Sequence, residues 1–135
     1  MAASETVEIK ASVEAVWRVL QASIEDPGSL WPGATARPLE RRAGSLLRQI
    51  TLAGVTATER VTGFPARHEV DAVLEEDPEL AGQSRLAIEP PLRPGLACRL
   101  TVSLDWRRKD GGPAPDLGDA VRGAAQRARQ AAEGG

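Results

Sequence analysis

The 135-residue chain has no tyrosine, one phenylalanine, one histidine, one cysteine and two lysines. Each scarcity removes a class of protein. A lone cysteine, Cys98, excludes an internal disulfide and any cysteine-based zinc cluster. A lone histidine, His68, excludes a multi-histidine metal site within one chain. No metal and no cofactor are expected. With aromatics at 3% and a net charge of -2, the chain lacks the basic, aromatic-interleaved stripe of a nucleic-acid binder. No apolar run approaches the roughly 20 residues of a membrane span. The opening MAASETVEIK lacks a basic stretch followed by an apolar one, so no signal peptide is expected and the compartment reads as cytoplasm.

What remains is ordinary for a globular chain: 41% hydrophobic and 27% charged residues, acids and bases interspersed. The length predicts one domain, 1–135, able to bury a core without staples. Thr6–Lys10 reads as a short strand. Ser12 is an N-cap with Glu14 in the first turn, and Val13, Val16, Trp17 and Leu20 form one stripe of a helix reaching about Ser23. Asp26-Pro27-Gly28 breaks it. Ser29–Gly33 is a short helical turn or loop with Trp31 packed inward.

From about Thr35 to Trp106 strands and turns alternate. Pro38–Arg42 is an edge-like strand. Strands near 45–52 and 55–63 flank Ala53-Gly54, a two-residue hairpin loop. Phe64-Pro65 marks the turn into 66–74. The acidic stretch 75–82 reads as a solvated connection without calcium-loop spacing. Strand 83–89 and the proline-rich 90–95 follow. The last strand is the clearest, with Leu96, Cys98, Leu100, Val102, Leu104 and Trp106 on one face. Asp116 then caps a terminal helix of about 116–132, with Leu117, Ala120, Val121, Ala124, Ala128 and Ala131 inward. Those alanines either bring the helix close to the sheet or leave room for a ligand.

Three polar residues share apolar faces: Arg48 with Leu46 and Ile50, Glu59 with Ala57 and Val61, and His68 with Val70 and Ala72. A charge on an inner face must be paired, neutralised or beside a cavity. The two-residue loop sets Arg48 opposite Glu59. If Phe64-Pro65 is also a two-residue turn, Val61 faces His68, and Glu59 becomes its diagonal neighbour. Two readings follow. One is a structural ion pair. The other is a polar anchor in an apolar pocket, with Arg48 taking an anionic or phenolic group, Glu59 steadying it, and His68 and Glu59 available as acid and base. As an anchor, Arg48 would matter more to binding than to melting temperature. Cys98 reads as a buried, inert thiol.

The opening Val7–Leu20, a strand entering a helix with a tryptophan, resembles the START-like superfamily, also called the SRPBCC or polyketide cyclase group. So do Trp31-Pro32-Gly33, the meander and the terminal helix. The segment 47–70 is similar to its AtaL-like branch. The resemblance implies an α+β helix-grip fold. In it a curved antiparallel sheet of about six or seven strands wraps a long C-terminal helix, with one helix and a short helical segment after the first strand. It also implies a deep cavity between sheet and helix for a small hydrophobic, aromatic or lipid-like molecule. Arg48, Glu59, His68, Ile50, Trp31, Leu100 and Val121 are then the expected ligand-contacting set. The alternatives are a cyclase or dehydratase using His68 and Glu59, and a ligand-free partner-binding module. An exposed edge strand would support a homodimer.

Overall fold

A computed structural model describes residues 2–134. Seven strands form one antiparallel sheet: β1 (Ala2–Ile9), β2 (Thr35–Arg42), β3 (Ser45–Leu52), β4 (Val55–Phe64), β5 (Glu69–Leu74), β6 (Leu80–Glu89) and β7 (Cys98–Arg108). Their order is β1-β7-β6-β5-β4-β3-β2, so the first strand lies beside the last. Helix α1 (Val13–Glu25) and a 3-10 turn (Pro27–Ser29) follow β1, and helix α2 (Gly118–Gly134) ends the chain. This is the helix-grip arrangement.

Local chemistry explains the elements. The Ser12 side chain accepts the Ala15 N–H and starts α1, whose buried stripe is Val16, Trp17, Leu20 and Ser23. Ala53 and Gly54 both have positive φ (52° and 80°), the geometry a tight two-residue hairpin requires. The register is as that loop dictates: Leu52 faces Val55, Ile50 faces Ala57 and Arg48 faces Glu59. Strand β2 is an edge, and Pro38 is tolerated there beside a bulge between Pro38 and Glu40. Before α2, the Asp116 carboxylate accepts the Gly118 N–H.

Helix α2 lies over β1 and β7 and touches α1. Its inward stripe is Ala120, Val121, Ala124, Ala125, Ala128 and Ala132. Ala131, expected inward, is exposed, and Ala132 takes its place. Ala124, Ala125, Ala128, Leu100, Val102, Leu20 and Leu30 are 0% exposed, so these alanines serve close packing of the helix on the sheet. A Cβ on Gly123 would sit 2.5 Å from Pro32 Cγ, so α2 is pressed equally hard against the loop after the 3-10 turn.

Several expectations are corrected. The last strand begins at Cys98, and Leu96 is exposed in the loop before it. The first strand runs back to Ala2, because it pairs with β7 along its whole length. The stretch after β5 is not simply solvated. Asp77 is buried, and its carboxylate accepts three backbone N–H groups, from Thr58, Glu79 and Leu80.

Candidate functional site

Arg48 and Glu59 are opposed on the concave face and are nearly sealed from solvent, with side chains 4% and 2% exposed. Arg48 Nε and Nη2 donate to Glu59 Oε1 at 3.0 and 2.8 Å. Its Nη1 donates to the backbone carbonyls of Ser23 and Ile24 at 2.9 and 2.7 Å. Those carbonyls belong to the last turn of α1, beyond the Ala22 carbonyl that the Asp26 N–H satisfies, and carry the negative end of the helix dipole. A guanidinium has five N–H donors, so Arg48 keeps one for anything else. Glu59 Oε2 accepts no hydrogen bond among the described residues.

His68 stands elsewhere. The link from β4 to β5 is a 3-10 turn, Pro65–Arg67, closed by His68 in the left-handed conformation (φ 52°, ψ 50°). Four residues, not two, separate the paired Phe64 and Glu69. The expected partners therefore slip: Val61 faces Ala72, and Glu59 faces Leu74. The slip is even, so the faces of β5 survive while the neighbours change. Glu59 lies five residues up the strand from Phe64, roughly 16 Å at strand rise, at the far end of the hairpin from His68. The half-buried imidazole instead meets the edge of Trp17, with ring centroids 6.0 Å apart.

Ile50, Trp31, Leu100 and Val121 are buried parts of the core. Cys98 Sγ points at the carbonyls of Ile9 and Ala11, and burial pushes the thiol up, keeping it protonated and unreactive. Among the described residues no group of three or more His, Cys, Asp or Glu could hold a metal ion. No helix of the described residues is long and apolar enough to cross a membrane.

Open space lies elsewhere, and none of the seven expected residues lines either of the two clefts that border the apolar core. One cleft, of about 350 Å³, sits where α1 meets the β2–β3 turn; Trp17, Ile24, Leu46 and Pro65 wall it, and Arg41, tied to Glu25, stands at its edge. The larger cleft, about 610 Å³, opens between the β3–β4 hairpin, the Asp77–Glu79 loop and the proline-bearing segment before α2. The concave-face residues Val55, Ala57 and Leu80 line it, with Arg108, Pro113 and Pro115 opposite. Desolvation works against the Asp77 carboxylate. The N–H groups of Leu80, Glu79 and Thr58, with the Lys109 charge, outweigh it and hold Asp77 below the usual range. Lys109 fixes the same loop by donating Nζ to the Asp77 carbonyl.

Glu59 is two residues beyond Ala57, and Trp106 is opposite Gly82, two residues beyond Leu80. Leu74 faces Glu59, just past the end of the β5–β6 pairing at Val73 and Gln83. Val55, Leu74, Gly82 and Ser84 are among the concave positions that keep partial exposure, as are Ala3 and Glu5 on β1, Ala36 on β2 and Gly63 on β4. Gly82 has φ 136°, and a Cβ there would lie 1.8 Å from the Asp105 carbonyl oxygen, so no side chain can occupy this point. Sequence reasoning missed Val55, Ala57 and Leu80, the concave-face residues that line the larger cleft, because an inward apolar position looks the same whether it is packed or borders open space.

Residues 2–133 match the family described as "Polyketide cyclase / dehydrase and lipid transport". The chain belongs to that family, whose description joins cyclase or dehydrase activity and lipid transport, a setting of hydrophobic ligands. Among solved structures it is similar to a START superfamily protein from Mycobacterium smegmatis, with TM-score 0.64 and 22% identity, covering 98% of this chain and 94% of that one. It is also similar to the Zhui aromatase/cyclase from Streptomyces sp. R1128, with TM-score 0.64 and 22% identity over 99% and 82% of the two chains. Truncated norcoclaurine synthase from Thalictrum flavum gives TM-score 0.70 at 13% identity, over 96% and 91%. At these identities the likeness is one of fold. No curated protein sequence matches the chain.

Proposed function

We propose that this protein binds one small, mainly apolar molecule on the β4–β6 part of the concave face, entered through the cleft over Val55, Ala57 and Leu80. The carrying observation is the cleft itself, about 610 Å³, which has Val55, Ala57 and Leu80 of the concave face and Pro113 and Pro115 among its walls. Apolar walls with a few polar groups are the ordinary composition of a small-molecule site. Family membership and the similarity of 47–70 to the AtaL-like branch support the same reading. Arg48 acts behind this site by holding Glu59 and the end of α1. The separation of His68 from Glu59 gives a paired acid and base no geometry, so binding is favoured over cyclase or dehydratase chemistry.

The test uses N-phenyl-1-naphthylamine, whose fluorescence rises in apolar surroundings. Val55 is half-buried at the cleft wall, so Val55→Trp narrows the entry without overfilling the core. Binding by the wild type and a loss of about tenfold or more in the variant, at an unchanged melting temperature, supports the reading. Equal affinities overturn it.

One observation favours the second reading, a partner-binding module. The region under α2 is filled by side chains, and Leu92 (87% exposed) and Leu96 (48%) project from the β6–β7 loop. Native mass spectrometry of the purified protein separates the two. A retained small molecule supports the first; none, with a stable protein partner lost on Leu92→Ser, supports the second.

A further inference from the structure

The smaller cleft has a chemistry of its own. Trp17 and Ile24 of α1, Leu46 of β3 and Pro65 after β4 give it apolar walls. Gly63 of β4 also lines it. A Cβ there would lie 3.2 Å from Ile24 Cδ1 and 3.9 Å from Trp17 Cη2, so a side chain would take up the space between strand and helix. The charged rim is lopsided: Arg41 and Arg42 stand there with a single acid, Glu25. Arg41 lies opposite Leu46 in the β2–β3 register, and its Nη1 donates to Glu25. Its Nε and Nη2 make no hydrogen bond among the described residues. Both side chains of that pair are more than half exposed, and exposed ion pairs hold weakly. Arg42 pairs with Glu40, equally in the open. The larger cleft has the reverse balance, with Asp77 and Glu79 against Arg108. A small acid is therefore drawn to the smaller cleft and not to the larger. At about 350 Å³ the space lies near the low end of the range for small-molecule pockets, about 300–1,000 Å³, which suits one or two fused rings.

We infer that this cleft is a second binding site, for a flat aromatic carboxylate. The rings lie among Trp17, Ile24, Leu46 and Pro65. The carboxylate takes Arg41 from Glu25, and Arg42 adds a second positive charge. A guanidinium binds a carboxylate through charge-assisted hydrogen bonds that a neutral amide of the same shape does not match. This inference is independent of the binding reading above, since no residue lines both clefts.

The test compares 2-naphthoate with 2-naphthamide, probes of nearly equal shape, by calorimetric titration at low ionic strength, where exposed charges are least screened. The wild type is expected to favour the acid. In Arg41→Gln/Arg42→Gln that preference, read as the ratio of the two dissociation constants, should fall about tenfold. Glu25→Gln releases Arg41 and should tighten naphthoate binding severalfold. Gln21 is exposed on α1 at the cleft wall, so Gln21→Trp fills the opening without disturbing the core and should weaken naphthoate binding about tenfold or more. Val55→Trp, in the larger cleft, should leave it unchanged. All the substituted residues are exposed or half-buried, and melting temperatures check that each variant folds. A preference unmoved by the arginine changes overturns the inference, as does a wild type that does not bind naphthoate. Loss of binding in Val55→Trp but not in Gln21→Trp places the acid in the larger cleft; it overturns the second site and leaves the proposed function standing.

Discussion

Replacing Arg48 by methionine keeps an apolar stem of similar reach and removes the guanidinium. Four hydrogen bonds go: two to Glu59 Oε1, one to the Ser23 carbonyl and one to that of Ile24. Glu59 is left as a buried carboxylate without its cation, and two helix-end carbonyls lose their donor. Breaking a buried pair from one side costs about 3–5 kcal/mol. For a chain of this size each kcal/mol moves the melting midpoint by roughly 3–4 °C, so a fall of about 10–20 °C is expected. The double variant Arg48→Met/Glu59→Met removes the orphaned charge as well. Its remaining defect is the pair of α1 carbonyls, about 1–3 kcal/mol. The second substitution should therefore rescue the first, a strong positive coupling in a double-mutant cycle. Urea unfolding followed by circular dichroism on the four proteins measures all of this. A single variant within about 1 kcal/mol of wild type would show a pair as weak as a surface ion pair, and would refute the reasoning. So would a double variant as unstable as the two singles summed. Sequence reasoning, taking Arg48 as a ligand anchor, expects the reverse, a loss of binding far larger than the loss in melting temperature.

Asp77→Ala should cost roughly 1–3 kcal/mol at neutral pH, because three loop N–H groups lose their acceptor. The Asp77 carboxyl is held below its unfolded value near 3.9, so its contribution is complete above that pH and is lost as pH falls through the folded value. The gap between wild type and variant in chemical unfolding should accordingly shrink from pH 7 to pH 3; a constant gap contradicts the assigned cause. Gly123→Ala gains about 1 kcal/mol in helix propensity, yet the added methyl would meet Pro32 Cγ at 2.5 Å, so a net loss of stability is expected, relieved by a second change, Pro32→Ala. A stabilised single variant would show that α2 can move away at no cost. His68→Ala should leave N-phenyl-1-naphthylamine affinity within about twofold, since the residue closes the far end of the β4–β5 hairpin, while Trp17 fluorescence changes. A large loss of affinity would return the histidine to the site.

How far the sequence could be read followed from the kind of interaction involved. Alternation along Cys98–Trp106 and the Ala53-Gly54 loop are local signals, and both strand and register were legible, down to Arg48 opposite Glu59. The turn at Phe64-Pro65 was not. A proline after an aromatic residue is compatible with a two-residue turn or a 3-10 turn, and the chain takes the longer form, in which His68 meets Trp17. Arg48's second role was equally hidden, because its partners are carbonyls 24 and 25 residues away on another element. Whether the alanines of α2 border a cavity depends on interhelical and helix–sheet distances that composition does not encode.

The pairing of β1 with β7 has a consequence for the way this chain is made. Ile9 must find Cys98, 89 residues later, and α2 then closes over both strands. On a ribosome the first strand therefore waits, with Val7 and Ile9 uncovered, until almost all of the protein has emerged. The β2–β6 meander can assemble in order meanwhile, hairpin by hairpin. Folding should then show an early, local phase in the meander and a late, long-range closing step, slowed by the entropy of closing a loop 89 residues long. Substitutions within the β3–β4 hairpin would change the first phase, and those under α2 the second.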